Sequence, residues 1–348
     1  MPDYIFAYPG DFSLPTGGYE YDRRIHAELA ELDWNGTLLS LGDGFPFPAR
    51  ETLDRAFECL AAQPQGMPIL IDGLAFGVMS ACSKELCRSH RIAALVHHPL
   101  GLETGLSPEK AQNMLECEKR ILTRTKEIIV TSPRTATFLQ EDFSIPGDRI
   151  TVAVPGNDPA SPSRGRDDGK VGLIAVGSIV PRKGYSALIE ALNQLNHLDW
   201  VLDIVGDDRL DVNCATALRK QISDLNLSER VTLHGALQRK QVDALYAGAD
   251  MFVLASRYEG YGMAFTEAVT YGLPIIATGH GAVRDTVPEK AGIVLPPEDN
   301  RAFRIALESL IADKNKRDLL RAGSLQAAKN LPRWSDTAAT VRQVLESV

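Results

Sequence analysis

The chain has 348 residues, of which 44% are hydrophobic and 24% charged, and its formal net charge is −8. This length exceeds one ordinary α/β core and predicts two domains of roughly 150 residues each, while the composition is that of a soluble globular protein. Residues 1–158 hold 14 Lys and Arg against 22 Asp and Glu, which argues against nucleic acid, and more weakly against an anionic membrane surface, as partners.

Neither a targeting segment nor a membrane span is predicted. Residues 1–30 lack a basic start followed by an apolar run, and no stretch of the chain approaches the ~20 apolar residues of a membrane span. We therefore expect a cytoplasmic protein without a transmembrane segment, and peripheral membrane contact is not indicated. The five cysteines are scattered and never spaced Cys-x-x-Cys, so neither a disulfide framework nor a zinc site is expected.

Short apolar runs alternate with amphipathic segments of helix length along the first half of the chain. The runs are YIFAY (4–8), TLLSL (37–41), PILID (68–72), IAALVHH (92–98), EIIVTS (127–132) and RITVAV (149–154). Such alternation is typical of parallel strands joined by crossover helices. Residues 155–169 are rich in proline and glycine, which predicts a linker.

A second series of apolar runs follows the linker. These runs are VGLIAVG (171–177), WVLDIVG (200–206), RVTLHG (230–235), MFVLAS (251–256), PIIATG (274–279) and GIVLP (292–296). The sequence thus predicts an α/β fold of two tandem doubly wound, Rossmann-like domains, residues 1–158 and 159–330. Ligands of such domains bind at the carboxyl ends of the strands, so we expect the site in a cleft between the domains.

Two stretches of the first half carry candidate site residues. Gly17 and Gly18 open a helix in LPTGGYEYDRRI, and we interpret them either as a plain helix start or as backbone that closes over a diphosphate. His97 and His98 end a predicted strand, and because adjacent strand residues point to opposite faces, at most one should reach a ligand. A paired metal site is therefore disfavoured, and Tyr19 and His98 are candidate acceptor contacts.

The stretch VGSIVPRKG (176–184) follows a predicted strand and opens a helix, with Arg182 and Lys183 beside the helix N-terminus. Cations at this end oppose the helix dipole, so they indicate an anionic ligand such as phosphate. The alternative is that both are solvated loop residues. The stretch is neither a P-loop nor Gly-x-Gly-x-x-Gly.

The stretch SRYEGYGMAFTEA (256–268) places Glu259 and Glu267 around a glycine-rich turn between a strand and a helix. Such turns bind phosphate, but a carboxylate repels it, so we expect these acids to accept hydrogen bonds from sugar and ribose hydroxyls. The alternative is a pair of solvated surface acids. No Asp-x-Asp occurs, so we expect no metal or other cofactor, and the leaving charge would be met by Arg182, Lys183 and helix amides.

At these residues the chain resembles the retaining glycosyltransferases of family 4, the glycosyl transferases group 1, which have the GT-B fold. PTGGYEYDRRI is similar to the opening Gly-Gly loop of that family, VHHP to its strand-end histidine and VGSIVPRKG to its basic loop. FVLASRYEGYGMAFTEA, followed by YGLPIIAT, resembles its signature of two glutamates separated by seven residues. The likeness extends over nearly the whole chain.

The resemblance implies a role for each matching position. Glu259 would contact the donor sugar, Glu267 would hold the ribose, and Arg182 and Lys183 would bind the diphosphate, while His97 rather than His98 would touch the transferred sugar. The amides implied to line the sugar and phosphate are those of Gly260, Tyr261, Gly262 and Met263. Many members have arginine where this chain has Ser178, and Arg182 is a candidate to supply that charge.

We therefore expect a retaining, metal-independent glycosyltransferase of the hexosyltransferase type. It would move a sugar from a nucleotide diphosphate, UDP or GDP, to a hydroxyl of a small soluble molecule or saccharide held by the N-terminal domain. By the same resemblance, residues 331–348 would form a helix that crosses back to that domain. Two alternatives stay open: another GT-B enzyme such as a sugar-nucleotide epimerase, and a non-catalytic sugar-nucleotide binding protein.

Overall fold

The computed structural model describes residues 3–81, 83–103 and 105–348. It comprises two compact units, the first formed by Met1–Leu14, Gly18–Gly156 and Pro332–Val348 and the second by Pro15–Gly17 and Asn157–Leu331. Each unit contains a six-stranded parallel sheet. The predicted α/β class with two doubly wound domains is confirmed.

All the strands pair in parallel with their neighbours. The first sheet, in the order β2-β1-β3-β4-β5-β6, is formed by β1 (Asp3–Tyr8), β2 (Asn35–Ser40), β3 (Pro68–Asp72), β4 (Arg91–Val96), β5 (Glu127–Val130) and β6 (Ile150–Val152). The second, in the order β12-β11-β10-β7-β8-β9, is formed by β7 (Val171–Val176), β8 (Trp200–Val205), β9 (Val231–Leu233), β10 (Met251–Glu259), β11 (Ile275–Gly281) and β12 (Gly292–Leu295).

Helices connect the strands. They are α1 (Gly17–Glu31), α2 (Arg50–Ala61), α3 (Gly73–Phe76), α4 (Ser83–Ser89), α5 (Pro108–Leu122), α6 (Pro133–Glu141), α7 (Tyr185–Asn193), α8 (Val212–Asp224), α9 (Arg239–Gly248), α10 (Met263–Thr270), α11 (Val283–Thr286), α12 (Asn300–Ala312), α13 (Lys314–Ala328) and α14 (Trp334–Ser347). Short 3₁₀ turns cover Leu100–Leu102, Gly147–Arg149 and Pro181–Lys183. Within the described ranges, every helix is too short or too polar to cross a bilayer.

The central strands read as unbroken apolar runs because both faces of each sheet are covered. All five residues of β3 are buried, whereas the edge strand β2 has no buried residue. All twelve predicted strands exist, and the largest difference concerns β10. It was predicted to end at Ser256, but after an irregularity between Ala255 and Tyr258 it pairs again with β11, so that Glu259 lies opposite Gly281.

The predicted linker has no regular secondary structure, and it follows a fixed course along the second unit. Ser163 is buried; its amide donates to Tyr271 O at 2.8 Å and its hydroxyl to Ala247 O at 3.0 Å. These hydrogen bonds satisfy the buried amide and hydroxyl of Ser163, which belongs to neither a strand nor a helix.

The chain leaves the first unit after Gly156 and returns to it at Pro332, so that Gly156 and Trp334 lie side by side. Helix α14 packs in the first unit, where the buried ring of Trp334 lies 5.8 Å from that of Tyr21 and Thr337 donates to Val154 O at 2.8 Å. A Cβ on Gly156 would lie 2.2 Å from the backbone nitrogen of Trp334. Only glycine lets these two backbone segments approach so closely.

We predict that Gly156→Ala destabilises the protein by at least about 1–3 kcal/mol, because the new methyl group meets backbone rather than a flexible side chain. Gly66→Ala is the matched control, since a Cβ at Gly66 meets nothing within 4 Å. Urea unfolding followed by circular dichroism measures both variants. Equal free energies of unfolding for the two would contradict the close approach.

Candidate functional site

The candidate site of the second unit is formed where β7 and β10 end. These strands are parallel neighbours, so the loops after them lie at the same sheet edge. Arg182 and Lys183 occupy the 3₁₀ turn between β7 and α7, and Glu259 is the last residue of β10. A Cβ on Gly184, whose φ is +65°, would lie 1.8 Å from Ala255 O, so glycine is required where the basic loop rests on β10.

Glu259 is buried between the two predicted phosphate ligands. Lys183 Nζ donates to its Oε1 at 2.7 Å and Arg182 Nη1 to its Oε2 at 3.0 Å, while the Ser256 hydroxyl donates to Oε1 at 2.6 Å. Only 4% of Glu259 is exposed. Burial by itself would raise the pKa of this carboxyl, but the charges of Lys183 and Arg182 outweigh it and lower the pKa to about 2. The alternative of a solvated loop acid is therefore wrong.

The basic loop has a counter-charge within the protein. Its sequence indicates that Arg182 and Lys183 need an external anion, but the structure places a carboxylate of the protein between them. Their placement is therefore satisfied without ligand. Arg182, Lys183 and Glu259 together carry a formal charge of +1, and cationic side chains of this kind bind phosphate groups.

The turn after Glu259 positions the start of α10. Gly262 precedes the helix with φ +91°, and no side chain caps the helix N-terminus. Tyr261 O accepts a hydrogen bond from the Thr286 hydroxyl at 2.7 Å, which ties the turn to α11. The predicted amides of Gly260, Tyr261, Gly262 and Met263 thus belong to one fixed segment, whose positive helix end suits an anion.

Glu267 is also held in place. It lies one turn into α10, where Arg239 Nη1 donates to its Oε1 at 2.7 Å and the Tyr246 hydroxyl to its Oε2 at 3.2 Å. Its side chain is 26% exposed, so part of it faces solvent. The sequence analysis missed Arg239, because nothing in the RKQVDALY stretch signals pairing with a residue 28 positions further along the chain.

In the first unit His97 follows directly after β4 and meets two acids. Its Nε2 lies 3.1 Å from Asp22 Oδ1, and one side-chain atom each of Asp22, Asp72 and His97 lie within 4.8 Å of one another. Burial alone would lower the pKa of His97, but the charge and hydrogen bond of Asp22 and the charge of Asp72 raise it. Burial and the charge of Asp22 raise the pKa of Asp72 to about 7.

The neighbours of His97 have other partners. His98 Nε2 lies 3.2 Å from Glu103 Oε2, so the two adjacent histidines serve different carboxylates. The hydroxyl of Tyr19, a candidate acceptor contact, donates to Pro9 O within the first unit. Gly17 is the first residue of α1, and Gly18 lies against His97, because a Cβ there would be 3.4 Å from the ring.

The sequence analysis missed Asp22 and Asp72, although both carry a signal. Asp22 stands three and seven positions before Ile25 and Leu29, on the buried face of α1, where a carboxylate needs a partner. Asp72 ends a fully buried strand and caps α3 by accepting from the Leu74 amide at 2.7 Å. An acid at the carboxyl end of a central parallel strand is a candidate site residue.

We predict that Glu259→Gln destabilises the protein by roughly 3–5 kcal/mol at pH 7, because it leaves two largely buried cations without their counter-charge. The folded-state pKa of Glu259 is lowered, so its contribution is present above the ordinary pKa of 4.5 and is lost as the pH falls towards about 2. The stability gap between variant and wild type should close over that window.

Glu298→Gln is the matched control, since Glu298 pairs with His280 on the surface, and it should change stability little. Urea unfolding at several pH values measures all three proteins. A Glu259→Gln variant as stable as Glu298→Gln at pH 7 would contradict a buried ion-pair cluster.

Comparison with known proteins identifies similar sequences and similar folds. The model of the family described as glycosyl transferases group 1 matches residues 157–325. The chain is 26% identical over 359 residues to the MMP alpha-(1->4)-mannosyltransferase of Mycolicibacterium hassiacum, an alignment that covers 98% of this chain and 83% of the relative.

Two solved structures share the fold over the whole chain. Sucrose-phosphate synthase from Thermosynechococcus elongatus has a TM-score of 0.83 and 20% identity, covering 99% of this chain and 98% of that one. Anabaena HepE, solved in complex with UDP-glucose, has a TM-score of 0.78 and 18% identity, covering 99% and 100%. The predicted GT-B fold is thus confirmed.

Proposed function

We propose that this chain, whose residues 157–325 match the family model of the glycosyl transferases group 1, is a retaining, metal-independent glycosyltransferase. It moves a sugar from a nucleotide diphosphate to an acceptor hydroxyl. The observation that carries the proposal is Glu259, buried between Arg182 and Lys183 beside the open N-terminus of α10.

Each part of the donor meets a group of matching chemistry. Arg182, Lys183 and the first amides of α10 bind the diphosphate, and Glu259 accepts hydrogen bonds from the sugar hydroxyls. Glu267, which lies one turn into α10 and is partly exposed, accepts hydrogen bonds from the ribose hydroxyls. A UDP-sugar or GDP-sugar is the proposed donor, and the UDP-glucose complex of HepE supports the first choice.

The carboxylates act by positioning rather than by proton transfer. A carboxyl with a pKa of about 2 is a weak base, and both oxygens of Glu259 already accept hydrogen bonds. In the proposed reaction the bond from the anomeric carbon to the phosphate oxygen breaks and the acceptor oxygen bonds to the same face of that carbon. The acceptor proton passes to the departing phosphate, whose charge Arg182 and Lys183 stabilise.

We assign the acceptor to the first unit, together with a contact from His97 to the transferred sugar. The names of the two relatives, a mannosyltransferase and a sucrose-phosphate synthase, both concern sugars. They support a saccharide or another small polar molecule as the acceptor.

We expect UDP or GDP, as the nucleotide of the proposed donor, to raise the melting temperature more than ADP does. A nucleotide present at about 100 times its Kd stabilises the folded protein by roughly 2.7 kcal/mol. The rise should persist in EDTA, since no metal bridges the diphosphate. Differential scanning fluorimetry measures both effects. Binding that EDTA abolishes would contradict metal independence, and binding without transfer to any acceptor would favour a non-catalytic binder.

Glu259→Ala and Glu267→Ala should act on different steps. Glu259→Ala is expected to lower kcat/KM for sugar transfer by about 100-fold or more while nucleotide affinity stays equal or rises, because two cations are released. Glu267→Ala removes a charged hydrogen-bond acceptor from the ribose and should weaken nucleotide binding by about 10- to 100-fold.

Calorimetry with the nucleotide and a transfer assay measure the two effects, with Glu298→Ala as the surface control. Circular dichroism establishes that each variant is folded. Equal, small effects of both substitutions would remove both acids from the site.

A further inference from the structure

The buried carboxylate of Asp22 requires partners that compensate its charge. It lies on the apolar face of α1 with 0% exposure, where an unpaired charge costs several kcal/mol. Its Oδ1 is paired with Nε2 of His97, whereas its Oδ2 has no hydrogen-bond partner among the described residues. One oxygen of this carboxylate therefore still requires a donor.

Asp72 supplies that donor if it keeps its proton. It is 3% exposed and stands in the same group of side chains, where two carboxylates cannot both ionise at low cost. The pKa of Asp72, raised to about 7 chiefly by burial and further by the charge of Asp22, agrees with a retained proton. The three groups then carry one negative charge on Asp22 and one positive charge on His97.

The surroundings leave the imidazole little room to turn. The ring of Tyr21 stands at 82° to it with centroids 5.4 Å apart, and Gly18 also lies against the ring, where a Cβ would be 3.4 Å from Cδ2. Because Asp22 engages Nε2, a hydrogen bond from this ring to a ligand must come from Nδ1.

We propose that Asp22 is the positioning residue for His97: it holds the protonated ring by Nε2 and directs Nδ1–H to a hydroxyl of the transferred sugar. Asp72 completes the arrangement by donating its proton to the second oxygen of Asp22. The inference rests on the proposed function for the sugar contact, whereas the pairing of Asp22 with His97 can be tested without it.

Titration of His97 provides the independent readout. The titratable groups around it are Asp22, Asp72, Tyr19 and Tyr21, and burial together with the charge of Asp22 raises the pKa of Asp72 to about 7. Asp22→Asn removes the negative charge next to Nε2, so the pKa of His97 should fall below that of the wild type. Histidine NMR signals across pH measure it, with the His97 signal identified by its loss in His97→Gln.

A sugar-transfer assay tests whether the positioning of His97 by Asp22 affects catalysis. Asp22→Asn should lower kcat about 10- to 100-fold, because the charged donor is lost or misdirected, while nucleotide affinity stays unchanged. The fall of activity at alkaline pH should move to lower pH, following His97. Asp72→Asn keeps a neutral donor and a helix cap, so its loss should be smaller, and Glu20→Gln on the exposed side of α1 is the control for wild-type activity.

Three results would overturn the proposal. The first is a His97 pKa that Asp22→Asn leaves unchanged, and the second is an Asp22→Asn enzyme with the kcat and pH profile of the wild type. The third is a stoichiometric divalent cation in the purified protein that is lost on Asp22→Asn, since a metal would then occupy the place of the shared proton. A protein that transfers no sugar but still shows the His97 shift would contradict the proposed function alone.

Discussion

The ion pairs of Glu259 connect two separate pieces of the second unit, the end of β10 and the basic loop after β7. A carboxylate that is 4% exposed can remain charged only beside cations, and Arg182 and Lys183 come from the loop after a neighbouring strand. The pairing therefore requires β10 to continue past its irregularity to residue 259 and the basic loop to fold down onto it. Backbone contacts enforce the same geometry, since Gly184 sits too close to Ala255 O for any side chain.

This constraint explains how the site can be rigid without a ligand. Without a carboxylate between them, Arg182 and Lys183 would repel each other and sample many positions. Paired with the fixed carboxylate of Glu259, they are already oriented. In the proposed function, a diphosphate would enter this cluster beside the N-terminus of α10. Little reorganisation is needed on binding, which is the condition for strong electrostatic stabilisation of a leaving phosphate.

The fold could be predicted from the sequence because apolar strand runs and linker composition are local properties. The individual site residues could be named but not their partners. Glu259 reads as a loop acid until the irregularity in β10 brings it back into register with β11, and that pairing depends on residues more than twenty positions away. The partner of Glu267, Arg239, lies on another helix, and sequence spacing carries no information about contacts between helices. Asp22 differs, because a carboxylate in step with Ile25 and Leu29 is visible in the helical pattern.

The two acid clusters show that cations can reverse the effect of burial on a carboxyl. Glu259 and Asp72 are both almost completely buried; burial, together with the charge of Asp22, raises the pKa of Asp72 to about 7, whereas Lys183 and Arg182 outweigh burial and lower that of Glu259 to about 2. At neutral pH Glu259 is fixed as an anion and is suited to holding hydroxyls. In the group of Asp22, Asp72 and His97, the pKa of Asp72 is raised to about 7, so the protonation of this group changes near neutral pH. A reaction in which the leaving phosphate itself receives the acceptor proton is compatible with both clusters, because neither then has to exchange a proton during turnover.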